Sequence, residues 1–219
     1  VRHDPNAERT VRAFTSLTSV PLVPELWLHL LSPNHRLWSA TLEQAAEAGL
    51  VMPYWAFAWP GGQVLARYCL DHPEVVRGKR ILDLGCGGAI EGLAARLAGA
   101  HDVLCADVDV VATTAAHLNA AANRLRLRTM NVDLFVAQST PLDCDVVLAG
   151  DLAFEPEITA RLVGILKTHV SLGHRVFLGD AARVPLEGSW VRRASYRAPF
   201  DGDPRHGTLW DVHVLELVE

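Results

Sequence analysis

The sequence contains neither a C-x-x-C nor an H-x-x-x-H pair, and its four cysteines, Cys69, Cys86, Cys105 and Cys144, stand far apart. No metal site is signalled, and no disulfide framework. Three of the thiols fall in apolar or glycine-rich surroundings, which reads as reduced cysteine in a cytosolic-type compartment. No run of about 18 apolar residues occurs, so no membrane span is expected. The opening VRHDPNAERTVRAF has no apolar signal core, and its acids argue against a transit peptide. The expected location is cytoplasmic, of bacterial type; a mitochondrial matrix location stays open if a presequence has been removed. Excess positive charge is lacking too. A net charge of −5 speaks against nucleic acid as a partner held by a basic face.

Half of the 219 residues are apolar, enough for one substantial core. The chain is organised around residues 81–92, ILDLGCGGAIEG. An apolar lead carries Asp83, a turn holds Gly85, Gly87 and Gly88, and an apolar helical run follows. Glycine serves where the backbone takes positive φ or passes close to a ligand. Two phosphate-binding motifs share this plan, and both fail. A dinucleotide G-x-G-x-x-G begun at Gly85 needs glycine where Ile90 stands, and no G-K-[ST] follows. An acid two residues before the first glycine repels phosphate and suits a ligand with cationic groups. The plainer alternative is a βα turn with glycines for tightness.

In chain order, Asp4-Pro5 and residues 6–17 read as a capped short helix. Residues 20–33 carry three prolines around an apolar stretch and read as either irregular chain or an extended strand outside the main sheet. Residues 42–48 read as one or two helical turns. PYWAFAWPGGQ at 53–63 packs large aromatics and a Pro-Gly-Gly turn before a helix at 64–70. This segment is either an aromatic core plug or the closure of a ligand pocket, with Trp59 and Gln63 lining it. Strands are expected at 80–84, 102–106, 126–130, 145–149 and 175–178, with helices at 89–98, 110–123 and 155–168. Short apolar strands alternating with helices give a parallel sheet covered on both faces. Residues 190–198 and 209–218 alternate apolar and polar, an antiparallel hairpin with its loop at 201–207. The fold class is therefore α/β, a Rossmann-like seven-stranded sheet of five parallel strands plus a C-terminal hairpin. No repeat or low-complexity linker interrupts it. One domain is expected, residues 1–60 forming an extension over the functional face and 61–219 the seven-stranded core. A monomer is expected.

Ligands of open α/β sheets bind beyond the carboxyl ends of the strands. Acids stand at four such ends: Asp83, Asp107, Asp151 and Asp180. Asp107 is placed to take both hydroxyls of a ribose, with Val108 and the segment 130–134, including Asn131 and Asp133, flanking a base. Asp109 either caps the next helix or joins that group.

The pattern D-x-G-x-G at Asp83, Gly85 and Gly87 resembles motif I of the seven-stranded S-adenosylmethionine-dependent methyltransferases, with Ala89 in place of a third glycine. The set PYWAFAWPGGQ, ILDLGCGG, ADVD, AGDLAFE and LGDAAR resembles one branch of them more narrowly, over residues 21–186. That branch is the protein-lysine methyltransferases acting on the β subunit of electron transfer flavoprotein. The resemblance implies S-adenosylmethionine as cofactor, a protein substrate, and trimethylation of surface lysines. It places an Asp-x-x-Tyr/Phe motif on Asp151 and Phe154, the catalytic pair, where Phe154 lacks the hydroxyl of the commoner Tyr. Its Gly-Asp-Pro-x-Arg appears at residues 179–183 with the proline lost, and Arg183 has no assigned role. Two rivals remain at this stage: a small-molecule methyltransferase on the same fold, with residues 20–49 as a lid, and a non-catalytic cofactor-binding module.

Overall fold

A computed structural model of the chain describes residues 4–31, 52–133, 135, 142–199 and 209–218. The expected turns at 42–48, Leu134 and the hairpin loop at 201–207 lie outside them.

Helix α1 (Pro5–Phe14) starts as its sequence dictates: Asp4 accepts from the Asn6 and Ala7 N–H groups, and Pro5 occupies the first turn. It ends earlier than expected. β-Branched and alternating residues take over at Thr15, and Thr15–Val20 is strand β1, paired antiparallel with β2 (Val23–Leu31). This ribbon stands outside the main sheet, which selects the extended alternative for residues 20–33, and its first strand takes residues expected to be helical. Its edge is held by two asparagines one turn apart on α4 (Val110–Ala122 and its C-cap): Asn119 accepts from His29 N at 2.7 Å, and Asn123 accepts from Trp27 N at 2.9 Å. Fully buried Asn119 also donates to Gly88 O at 2.9 Å, so one amide ties the ribbon to the glycine turn.

The seven-stranded sheet contains β3 (Arg80–Leu84), β4 (Asp102–Asp107), β5 (Arg128–Asn131), β6 (Val146–Gly150), β7 (Arg175–Asp180), β8 (Trp190–Pro199) and β9 (Leu209–Leu217). Its order is β5-β4-β3-β6-β7-β9-β8. The first five strands run parallel, and β9 lies antiparallel between β7 and β8. Alternate residues feed opposite faces. Ile81, Val103, Val146, Leu148 and Phe177 pack under α2 (Pro60–Asp71), α3 (Ile90–Leu97) and α4. Leu82, Leu84, Val147, Val176 and Leu178 pack on the other side against α5 (Pro156–Ser171) through Leu162 and Leu166. The order in which strands are added reverses between β3 and β6, which opens the crevice that holds the site.

Candidate active site

The aromatic segment and the glycines behind it seat α2 on the sheet. Gly61 and Gly62 pack against Gly179 and Gly150 at the carboxyl ends of β7 and β6. A Cβ on Gly61 stands 2.5 Å from Asp151 Oδ2 and 2.8 Å from Asp151 N, so only glycine permits the approach. The N–H groups at the start of α2 lack intrahelical partners. Gly61 N donates instead to Asp151 Oδ2. Asp151 does not cap α5, which begins after Glu155 without a side-chain cap; it caps α2, 90 residues earlier.

Above this seat lies a cavity of about 590 Å³, the size of small-ligand pockets in general. Its floor is the turn Leu84–Gly87, one wall is Ala106–Asp109 with Asp133, and the other is Gly150–Leu152 with Phe154 and Arg183. Tyr54, Trp55 and Trp59 cover it. The left-handed φ of 63° at Gly85 and 48° at Gly87 turns the chain away beneath the ligand space. Trp59 is fixed by its indole N–H on Tyr54 O at 2.8 Å and by ring contacts with Tyr54 and Phe57 at 6.0 and 5.7 Å. Phe154 and Tyr54 are 44% and 49% exposed, which puts aromatic faces at the rim.

Asp151 is buried and sits at φ 57°, a strained backbone for a residue other than glycine. Arg183 Nη2 pairs with its Oδ1 and reaches its backbone O at 3.4 Å. Burial pushes the Asp151 carboxyl up to about 6, and the Arg183 charge and the Gly61 N–H hold it down. Asp107 accepts from Gly87 N through Oδ2 and from Asp109 N through Oδ1, both at 2.9 Å. Burial raises its pKa and these N–H groups lower it. Asp109 caps α4 through Val111 N at 2.7 Å and also borders the cavity.

Residues 64–176 match the family model described as ribosomal protein L11 methyltransferase (PrmA). The electron transfer flavoprotein β-subunit lysine methyltransferase of Danio rerio is 36% identical over 83% of this chain and 69% of its own. The Homo sapiens protein of that name is 36% identical over 86% of this chain and 71% of its own. The chain belongs to the electron transfer flavoprotein β-subunit lysine methyltransferase family. Among solved structures, the ribosomal protein L11 methylase of Lactobacillus delbrueckii subsp. bulgaricus superposes with a TM-score of 0.50 at 23% identity, over 71% of this chain and 78% of that one. A methyltransferase solved in complex with SAH superposes at 0.52 with 13% identity, over 73% of this chain and 50% of that one. Both establish the fold.

In this lysine-methyltransferase family member, Trp59, Gly85, Gly87, Asp107, Val108, Asp133, Asp151 and Phe154 share one cavity. Three expected cofactor residues stand elsewhere. Gln63 is buried beneath the aromatic segment, and its amide is fully engaged: it donates to Ala58 O and Pro199 O at 2.7 and 2.9 Å and accepts from Leu22 N at 3.3 Å. It is a tie between the β1–β2 turn, the aromatic segment and β8, so its polar atoms do not reach the cavity. Asp83 lies wholly under the glycine turn, where Oδ2 accepts from Gly92 N at 2.9 Å. It shapes the turn from below. Asn131 donates to Asp107 O and Val108 O at 3.2 and 2.8 Å, fastening the wall instead of lining it. Phe154 precedes α5 by two residues and does not start it.

Two residues carried no role in the sequence reading. Arg183, the partner of Asp151, lines the cavity. Glu91 is buried beside Gly62 in a recess of about 40 Å³ under the turn, where burial, then the Asp83 charge, drives its pKa well up. A lone acid inside the apolar run AIEGLAA was the available signal for it.

Proposed function

We propose that this protein methylates lysine on the β subunit of electron transfer flavoprotein, using S-adenosylmethionine, and carries the reaction to trimethyllysine. The observation that carries the reading is the convergence of Asp107, Asp151 and Phe154 on one aromatic-covered cavity. The same family name on relatives that this chain matches over about 70% of their length supports the substrate.

The residues present fit the cofactor. Each Asp107 oxygen spends one lone pair on a backbone N–H and keeps another for a ribose hydroxyl. Asp133 and Val108 border the adenine end, and Trp59 the methionine end. When bound, S-adenosylmethionine supplies a methyl on a sulfonium whose charge disfavours a protonated amine beside it.

The lysine must arrive neutral. A free lysine amine has a pKa of about 10.4, so deprotonation at pH 7 costs roughly 4–5 kcal/mol. The aromatic cover, Tyr54, Trp55 and Trp59, desolvates the amine and lowers that cost. A free carboxylate beside the amine acts in the opposite sense. Asp151 escapes this because Arg183 neutralises it. The pair therefore offers a hydrogen-bond acceptor that orients the amine without strongly holding its proton. The rim face of Phe154 accommodates methylated ammonium through cation–π contact, which suits successive transfers. All four cysteines are free and buried, in keeping with a reducing, cytoplasmic compartment.

Radiolabelled S-adenosylmethionine with a bacterial lysate tests the class of acceptor. A labelled protein band is expected. Label confined to small molecules points to the rival methyltransferase, and binding without label transfer points to a non-catalytic module.

A further inference from the structure

At the amino-terminal ends of β6 and β7, the end of the sheet away from the cavity, three side chains converge that the methyl-transfer reading does not use. Cys144 stands two residues before β6, His169 lies in the last turn of α5, and His174 directly precedes β7. Cys144 Sγ is 3.5 Å from His174 Nδ1 and 3.9 Å from His169 Nδ1, and the two Nδ1 atoms are 2.9 Å apart. Cys144 and His169 are buried and His174 is half-buried. Sequence spacing conceals the group, because a gap of 25 residues separates Cys144 from His169.

A tetrahedral zinc ion with bonds of about 2.3 Å to sulfur and about 2.0–2.1 Å to nitrogen sets ligand edges of about 3.5–3.6 Å (S···N) and about 3.3–3.4 Å (N···N). The triangle formed by the three atoms departs from those edges by about half an ångström at most. The set is also chemically matched: one thiol and two imidazoles suit zinc, whereas magnesium and calcium need oxygen. The nearest carboxylate in sequence, Asp145, is occupied by Arg80, with Nη2 to Oδ1 at 2.8 Å.

We propose that Cys144, His169 and His174 form a zinc site that staples the entry to β6, the end of α5 and the entry to β7. Binding forms one Zn–S and two Zn–N bonds, and the Cys144 thiol proton passes to solvent. The site lies at the end of β6 and β7 opposite Asp151, so it acts on stability and takes no part in methyl transfer.

The full-length protein is stripped with a chelator and titrated with zinc against a chromophoric competitor, then separately with cobalt(II). One equivalent is expected, with a rise in Tm and a near-ultraviolet thiolate-to-cobalt absorption. Cys144→Ser removes that absorption. His174→Gln, at the half-buried position where folding is least threatened, weakens zinc binding at least tenfold and leaves kcat for methylation unchanged. Absence of zinc and cobalt uptake by the wild-type protein overturns the proposal, leaving a thiol–imidazole hydrogen-bond cluster. Stoichiometric binding that survives His174→Gln with unchanged affinity overturns it as well.

Discussion

Arg183 pairs with Asp151 at the carboxyl end of β6, an exposed guanidinium on a buried carboxylate, and the same aspartate caps α2 through Gly61 N. One carboxylate thus joins the catalytic wall, the aromatic cover and the strand that follows. Removing Arg183 leaves the buried carboxylate without its counter-charge, whereas removing Asp151 leaves a guanidinium that water already reaches. Arg183→Ala is expected to lose about 1–3 kcal/mol by urea denaturation, the cost of a buried acceptor left unpaired, and to lose most methyl transfer. Unchanged stability in that variant would show the pair to be solvated.

The raised Asp151 pKa has a direction in pH. Burial holds it at about 6 in the folded chain, above the ordinary carboxylate value of 3.8. The stabilisation from holding the acid protonated is full below 3.8 and is lost as pH rises through about 6. Wild-type protein should therefore lose stability relative to Asp151→Asn between those limits. Parallel stability curves for the two proteins across this window contradict the assignment.

Asp107 touches only backbone N–H groups within the protein in the contacts described above, so its cavity side is free for hydroxyls. Asp107→Ala should weaken S-adenosylmethionine by about 1.5–3 kcal/mol, roughly 10- to 150-fold. Calorimetry showing unchanged affinity would reduce Asp107 to a fastener of the glycine turn.

Two glycines give opposite expectations. Gly61→Ala drives a methyl into Asp151 and the backbone of Gly179, and should cost about 1–3 kcal/mol or more while displacing the Asp151 carboxylate. Gly164, inside α5, has nothing within 4 Å of the site of a new Cβ. Gly164→Ala should gain about 0.5–1 kcal/mol with activity intact. Thermal melts of both variants separate close packing from helix propensity.

Much of this was legible before any coordinates. Period-2 and βα patterns located the seven main-sheet strands within two residues, because buried parallel strands leave short apolar runs that only turns interrupt. The strand-end rule found Asp107 and Asp151. Long-range contacts were the hidden part. Nothing local announces that Asp151 caps α2 from 90 residues away, or that Gln63 is spent on Leu22 and Pro199. Asp83 sits in the motif yet faces the interior, since strand ends alternate faces and sequence does not say which one the ligand takes. Arg183 acquired meaning only once β7 lay beside β6.

Phe154 sets the number of methyl groups in this account. Phe154→Ala should remain active and stop more often at mono- and dimethyllysine, because the aromatic face at the rim is lost. Full trimethylation at wild-type rate would remove Phe154 from the reaction.

The most direct measurement is intact-mass and peptide mass spectrometry of electron transfer flavoprotein β subunit incubated with S-adenosylmethionine and either wild-type or Asp151→Ala enzyme. The account predicts trimethyllysine with the wild type, and near-complete loss of methylation by an Asp151→Ala protein that still binds the cofactor. An unmodified β subunit with active wild-type enzyme contradicts the substrate, and trimethylation by Asp151→Ala contradicts the mechanism.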